Sequence, residues 1–207
     1  MKNMTMTSAA MGWVGLLVIG TTISATYENK PGDPGAPPQV ALSKQATGVV
    51  NLSKRPSHII MFVHPRCPCT RASMSELRGL MEKYPDLKAT VFFYRPSAEE
   101  TDWEKTELWK TAASVKNITA KTDVDGQIAK ANRIVTSGQV LLYDDAGHLV
   151  FSGGITGARG HVGENMGESM IEALLDEQND AGKSLTAPVF GCRISKDNSQ
   201  ICNEARP

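Results

Sequence analysis

Two apolar runs, HIIMFVH at 58–64 and LKATVFFYR at 87–95, lack the polar alternation of a half-solvated strand, and a helical pattern separates them. Unbroken runs of this length mark strands buried on both faces. Between them Met74, Leu77, Leu80, Met81 and Tyr84 recur at helical spacing, and Pro85 stops the helix. Two doubly buried strands joined through a helix make a parallel βαβ unit, which needs helices over its sheet. The chain is thereby committed to an α/β architecture.

The pattern downstream changes. Thr101 and Glu104 have capping-box spacing, and Leu108, Trp109, Ala112 and Val115 continue a helix from there. Trp103 and Trp109 read as packing residues on that helix, and a shorter helix is expected over 125–133. QVLLYD and HLVFSG are two short strands around DAG, with Gly147 supplying the positive φ of a tight turn. A last helix is expected over 165–180, with Met166, Met170, Ile171, Leu174 and Leu175 on one face and Gly182 as its stop. The predicted order is β-α-β-α-(α)-β-β-α: a central mixed sheet, parallel βαβ plus antiparallel ββα, flanked by helices. No internal repeat is present, and this is not a doubly wound nucleotide-binding sheet.

The first 27 residues hold no charge between Lys2 and Glu28, and MGWVGLLVIGTTISA forms an apolar centre. A cleaved signal needs a basic start and small residues at its cleavage site; an uncleaved anchor needs about 20 apolar residues. Thr22 or Ile23 at the −3 position makes a poor cleavage site, so the anchor is favoured over the signal peptide, and either one exports the rest. ENKPGDPGAPPQ then reads as a Pro/Gly-rich spacer over 28–39. The folded domain is expected over 40–182, with a C-terminal extension over 183–207. Lys+Arg and Asp+Glu balance at 22 each, which leaves no electrostatic footprint for nucleic acid.

The chemistry lies at the first strand-to-helix junction, FVHPRCPCTRA. A thiolate is the nucleophile of disulfide exchange, and helix N-termini and cations favour it. Cys67 and Cys69 stand where the helix begins, flanked by Arg66 and Arg71, with His64 and Pro65 just before them. Pro68 constrains the backbone between the cysteines. Their Cα atoms, two residues apart, span about 5.5–7 Å, at the edge of the disulfide range, so a bridge there is strained and easily reduced. Cys67 is the expected nucleophile and Cys69 the resolving thiol. Soft metal binding is the rival chemistry: His64, Cys67 and Cys69, with His161 as a distant ligand, are donors for copper(I) or zinc, but no Cys₂His₂ pattern is complete. A third reading leaves the pair as an inert remnant in a redox-silent interaction domain.

Cys192 and Cys202 bracket the polar RISKDNSQI. In an exported domain they are expected to form a structural disulfide clamping a C-terminal hairpin, contributing about 2–3 kcal/mol. The sharper alternative makes Cys192, after PVFG, an extra redox partner for Cys67. DVDG at 123–126 resembles part of a calcium loop, but Lys121 occupies the first ligand position, and Asp123 or Asp125 reads as a helix cap.

The element order, with FVHPRCPCTRA at the first junction, resembles the thioredoxin-like superfamily over roughly residues 40–182. Cys67 matches that family's nucleophilic cysteine, and Cys69 is one residue closer than the usual partner. TSGQVLLYD, FSGGITGARGH and PVFGC are similar to the RedB-type proteins of bacteria. Three positions depart from the superfamily pattern: its cis-proline falls on Gly138, its buried acid on Met61, and its tryptophan before the first cysteine on Arg66. The resemblance implies that the start of 139–144 and the end of 148–152 lie at the cysteine end. Ser137, Gly138 and the GGITGARGH loop, with Gly154, Arg159 and His161, then become groove or supporting residues. Together these readings predict an extracytoplasmic, membrane-tethered thiol-disulfide oxidoreductase that needs no cofactor or metal and exchanges with a protein dithiol or disulfide partner. A copper(I) chaperone on the same fold is the alternative.

Overall fold

A computed structural model describes residues 2–39, 56–176 and 184–194 of the chain. Helix α1 (Lys2–Glu28) precedes the domain, and strand β1 (Pro56–Val63) opens it. Helix α2 (Pro68–Lys83), β2 (Lys88–Arg95), α3 (Glu107–Ser114), β3 (Ile118–Val124) and α4 (Gln127–Ala131) follow. Strands β4 (Gln139–Asp144) and β5 (Leu149–Gly153), helix α5 (Met166–Leu175) and β6 (Leu185–Thr186) complete the order. The sheet runs β3-β2-β1-β4-β5-β6. The first three of these strands are mutually parallel, and β4 pairs antiparallel with both β1 and β5. A parallel βαβ unit followed by an antiparallel ββα unit is the thioredoxin-like fold.

The two apolar runs behave as the central strands they encode. Ile59, Met61 and Val63 face one side with Val91, Phe93, Val140 and Leu142, under Met74, Leu77 and Leu80 of α2 and Ile171 and Leu174 of α5. Phe62 faces the other side with Tyr94, Leu141, Tyr143, Ile134 and Ile194. Each fully buried side chain of this kind is worth about 1.5–3 kcal/mol relative to exposure, so a polar residue in place of Ile59, Met61, Phe62 or Val63 is costly. On α5, Asn165 is the N-cap, accepting from Glu168 N at 2.8 Å.

Several expectations need correction. The Thr101–Glu104 pair does not open a helix: α3 begins at Glu107 with Thr106 as N-cap. Glu104 is instead buried, accepting from Thr122 Oγ1 and lying 3.6 Å from Arg95 Nε. Trp103 therefore stands outside α3. Strand β3 is an addition to the predicted order: its residues are mostly polar, although the β-branched Ile118, Thr119, Thr122 and Val124 suit an edge position. Asp123 does act as a cap, accepting from Ile128 N at 2.8 Å and Ala129 N at 3.0 Å.

The Pro/Gly-rich segment does not hang free as a spacer. Its extended backbone leaves carbonyls open, and the domain fills them: Thr136 Oγ1 donates to Asp33 O at 2.6 Å and Gln139 Nε2 to Pro34 O at 2.6 Å. In return Gly32 N donates to Val189 O at 2.8 Å and Ala36 N to Arg133 O at 3.2 Å. The membrane-anchor expectation finds no support, because among the described residues no helix is long and apolar enough to cross a membrane. Thr21, Thr22 and Thr26 bond back to helix carbonyls and cut the apolar run of α1 short. What α1 does show is an exposed apolar surface, including Trp13, Leu16 and Ile19.

Candidate active site

Cys67 is the N-cap of α2, and Pro68 takes N1, where its missing N–H costs nothing. The turn into the helix is closed by Cys67 N donating to His64 O at 3.0 Å and Thr70 N donating to Cys67 O at 3.2 Å. Cys69 therefore lies in the first helical turn. Both cysteines are buried, and a third sulfur joins them: Cys67, Cys69 and Cys192 have Sγ atoms all within 4.8 Å of one another. Cys67 Sγ stands 3.0 Å from Cys192 Sγ, across 125 residues of sequence.

The third sulfur arrives on a C-terminal strap that follows β6. Ala187 N donates to Ser152 O at 3.2 Å, and Gly154 N donates to Pro188 O at 3.2 Å. Ser137 N then donates to Cys192 O at 2.7 Å and Ile194 N to Val135 O at 2.9 Å, with Thr136 and Arg193 forming an antiparallel bridge. Gly191 is obligatory here, since a Cβ would stand 1.9 Å from Ser137 O. The expected clamp between Cys192 and Cys202 has one half, Cys202, outside the described residues; the other half stands at Cys67.

Hydrogen bonding with Cys192 favours the Cys69 thiolate, but hydrogen bonding with Cys67 and burial together outweigh it. The Cys69 thiol is held above the ordinary cysteine value, so Cys69 is a neutral S–H donor beside the other two sulfurs.

His64 lies flat against Tyr94, ring centroids 5.6 Å apart, and edge-on to Trp103 at 5.9 Å. Its Nδ1 accepts from Arg66 N at 3.3 Å. Burial holds its pKa down, opposed by Cys67 and aided by Arg66, so it sits as a neutral ring and not as a cation beside the thiols. Arg66 is exposed and covers Trp103, its guanidinium carbon 4.2 Å from the ring centroid. Pro65 is buried, its carbonyl accepting from Thr106 Oγ1 at 3.2 Å. Pro68 and Arg71 point to solvent.

Gly138 and Ser137 stand at the cysteine end. Gly138 adopts φ +89°, which proline cannot take, and its N–H donates to Phe62 O at 2.8 Å. Ser137 Oγ accepts from His64 N at 2.8 Å and shares a 2.7 Å bond with Thr70 Oγ1, tying β1, α2 and the β4 entrance together. Gly154, a groove candidate, makes room for the strap: its missing Cβ would stand 2.8 Å from Pro188 O. Arg159 does reach the site. Its Nη1 donates to Gly191 O at 2.6 Å, its Nε donates to Lys30 O at 3.2 Å, and its guanidinium lies over Tyr27. Its charge also favours the Cys69 thiolate. His161 stays apart, exposed and facing Glu28 at 3.9 Å, and neither His161 nor His64 joins the cluster of sulfur ligand atoms.

No family model matches the chain, and no curated protein does. Solved structures are similar to it. One is a hypothetical protein from Sinorhizobium meliloti, 21% identical, covering 68% of this chain and 80% of that one at a TM-score of 0.54. Another is an uncharacterized conserved protein from Geobacillus kaustophilus, 20% identical, covering 81% and 92% at a TM-score of 0.55. These likenesses concern the fold alone. A thioredoxin-like protein from Aeropyrum pernix aligns more loosely, with 15% identity, 61% and 80% coverage and a TM-score of 0.41.

Proposed function

We propose that this chain exchanges dithiol and disulfide with another protein at the N-terminus of α2. The observation that carries the reading is the three-sulfur cluster, with Cys67 Sγ at the helix N-cap and 3.0 Å from a second sulfur. A thiolate at that position stands at the positive end of the α2 dipole, which favours the charged sulfur. Cys67 is thus the central sulfur of the exchange. Either Cys69, inside the Cys-Pro-Cys motif, or Cys192, on the strap, supplies its partner.

The narrower kinship with RedB-type proteins rests on the TSGQVLLYD, FSGGITGARGH and PVFGC segments. An extracytoplasmic site of action is supported by the exposed apolar surface of α1 ahead of the domain. Thiol counting by mass spectrometry across a graded glutathione potential tests the function. A two-electron transition consuming Cys67 is expected, at a potential above that of structural disulfides. Cys67 remaining a thiol under mild oxidants would rule out the mechanism.

One observation supports a second reading. Three thiols within 4.8 Å form a soft donor set, suited to copper(I). In that reading the third ligand is Cys192, in place of the histidine expected from sequence.

A further inference from the structure

We propose that the disulfide formed in this exchange joins Cys67 to Cys192, not Cys67 to Cys69, and that outside thiols enter through Cys192. The inference rests on the exchange reading above and names the second reacting sulfur.

Geometry separates the two candidates. Cys67 and Cys69 lie two residues apart at the start of a helix, with Pro68 locking the backbone between them. Their sulfurs lie within 4.8 Å of each other, but a bridge between them must close a very small ring across Pro68, at the strained edge of disulfide geometry. Cys192 already faces Cys67 at 3.0 Å. A disulfide needs about 2.05 Å, which leaves about 1 Å of approach. The strap holds Cys192 there from both sides, through Arg159 to Gly191 O, Ser137 to Cys192 O and the Thr136–Arg193 bridge.

Access separates the roles. Cys67 and Cys69 are 2% and 7% exposed, whereas Cys192 is half-buried. Cys192 is the least buried of the three cysteines, so it is where we place the entry of an incoming thiolate. Attack there also expels the better leaving group, because Cys67 departs as a thiolate onto the helix N-terminus, with the Cys69 S–H beside it.

In the oxidising direction a partner thiol loses its proton to solvent, and its sulfur attacks Cys192 Sγ. The Cys67–Cys192 bond breaks, its electron pair leaves on Cys67, and a mixed disulfide remains on Cys192. The partner's second thiol, deprotonated, attacks its own sulfur in that bond, and Cys192 leaves as a thiolate. The partner gains a disulfide and loses two electrons; the protein gains two thiols once protons return from solvent. The reverse sequence reduces a partner disulfide.

Disulfide mapping by mass spectrometry on the full chain, oxidised with glutathione disulfide, tests this. Wild type should yield a peptide linking Cys67 to Cys192, with Cys69 recovered as a thiol. Cys67→Ser should hold glutathione on Cys192 at least about tenfold longer than wild type, because an intramolecular thiol acts at high effective concentration. Cys67→Ala repeats that measurement should the serine disturb folding, and the wild-type map needs no variant. Cys69→Ser should still yield the Cys67–Cys192 link, and loss of that link would overturn the proposal. A wild-type map showing Cys67–Cys69 overturns the proposal and leaves exchange at Cys67 standing. A Cys192–Cys202 link also overturns it. If neither Cys67 nor Cys192 forms any disulfide or glutathione adduct, the exchange reading falls with it.

Discussion

The strap's hold on Cys192 is tested most sharply by adding a single methyl group. In Gly191→Ala the new Cβ would stand 1.9 Å from Ser137 O and 3.0 Å from Ser137 C. These are backbone atoms at the entrance to β4, so a rotamer change relieves nothing. Ordinary contact begins near 3.4 Å, so the strap must retreat by about 1.5 Å. The bonds at risk are Ser137 N to Cys192 O at 2.7 Å and Arg159 Nη1 to Gly191 O at 2.6 Å. Overpacking together with weakening of these two bonds amounts to about 1–3 kcal/mol. The same retreat, if rigid, carries Cys192 Sγ from 3.0 Å to at most about 4.5 Å from Cys67 Sγ, away from the distance needed for bond formation. Urea denaturation of the reduced protein should show a lower midpoint, and the yield of the Cys67–Cys192 link under glutathione disulfide should fall several-fold. An unchanged midpoint together with an unchanged yield would refute the claim that the strap is packed against Ser137.

Burial raises the Glu168 pKa, and the neighbouring Glu76 and Glu172 add to it. The folded state therefore holds that proton more tightly than the unfolded chain does. The resulting stability is complete below the unfolded carboxyl value of about 4.3 and is lost as pH rises through the higher folded value. Glu168→Gln should flatten that decline in urea midpoints measured from pH 4 to pH 8; an identical slope would remove Glu168 as its source. Trp103→Ala removes the ring between Arg66 and His64, and should cost about 2 kcal/mol for a half-buried tryptophan plus its cation–π contact. Trp103→Phe should recover most of this in the same denaturation assay, and a neutral alanine variant would show that the ring supports nothing. Copper(I) added to reduced protein should bind weakly and indifferently to His161→Ala, because His161 faces Glu28 and solvent. Tight stoichiometric binding that is lost in Cys192→Ser would instead favour metal delivery by the three thiols.

The sheet's centre was legible because HIIMFVH and LKATVFFYR have a single physical reading, strands buried on both faces. The site's location was legible for a related reason: Cys-Pro-Cys falls where a buried strand meets a helix, and helix N-termini favour thiolates. Strand β3 was not, since an edge strand needs few apolar residues and ITAKTDV has few. Glu104 misled because capping-box spacing is also satisfied by a buried acid facing Arg95. Proline and glycine in 28–39 signalled an unpacked spacer, yet an extended backbone with open carbonyls is also well suited to lie along a domain. Cys192 is the most instructive. Its neighbour in sequence made a clamp with Cys202 the plain expectation, and no local signal places residue 192 beside residue 67. The available hint was Gly191 directly before it, a residue with no Cβ where a side chain would stand 1.9 Å from Ser137 O.

Turnover of a small disulfide-bonded model protein by the full chain in a glutathione buffer, run beside Cys67→Ser, bears most directly on whether this cluster performs protein disulfide exchange. The wild-type chain should accelerate conversion of the model protein's thiols and disulfides above the rate set by glutathione alone, and Cys67→Ser should return the rate to that baseline. A wild-type rate equal to the buffer's, or a Cys67→Ser rate equal to wild type, would contradict exchange at this site.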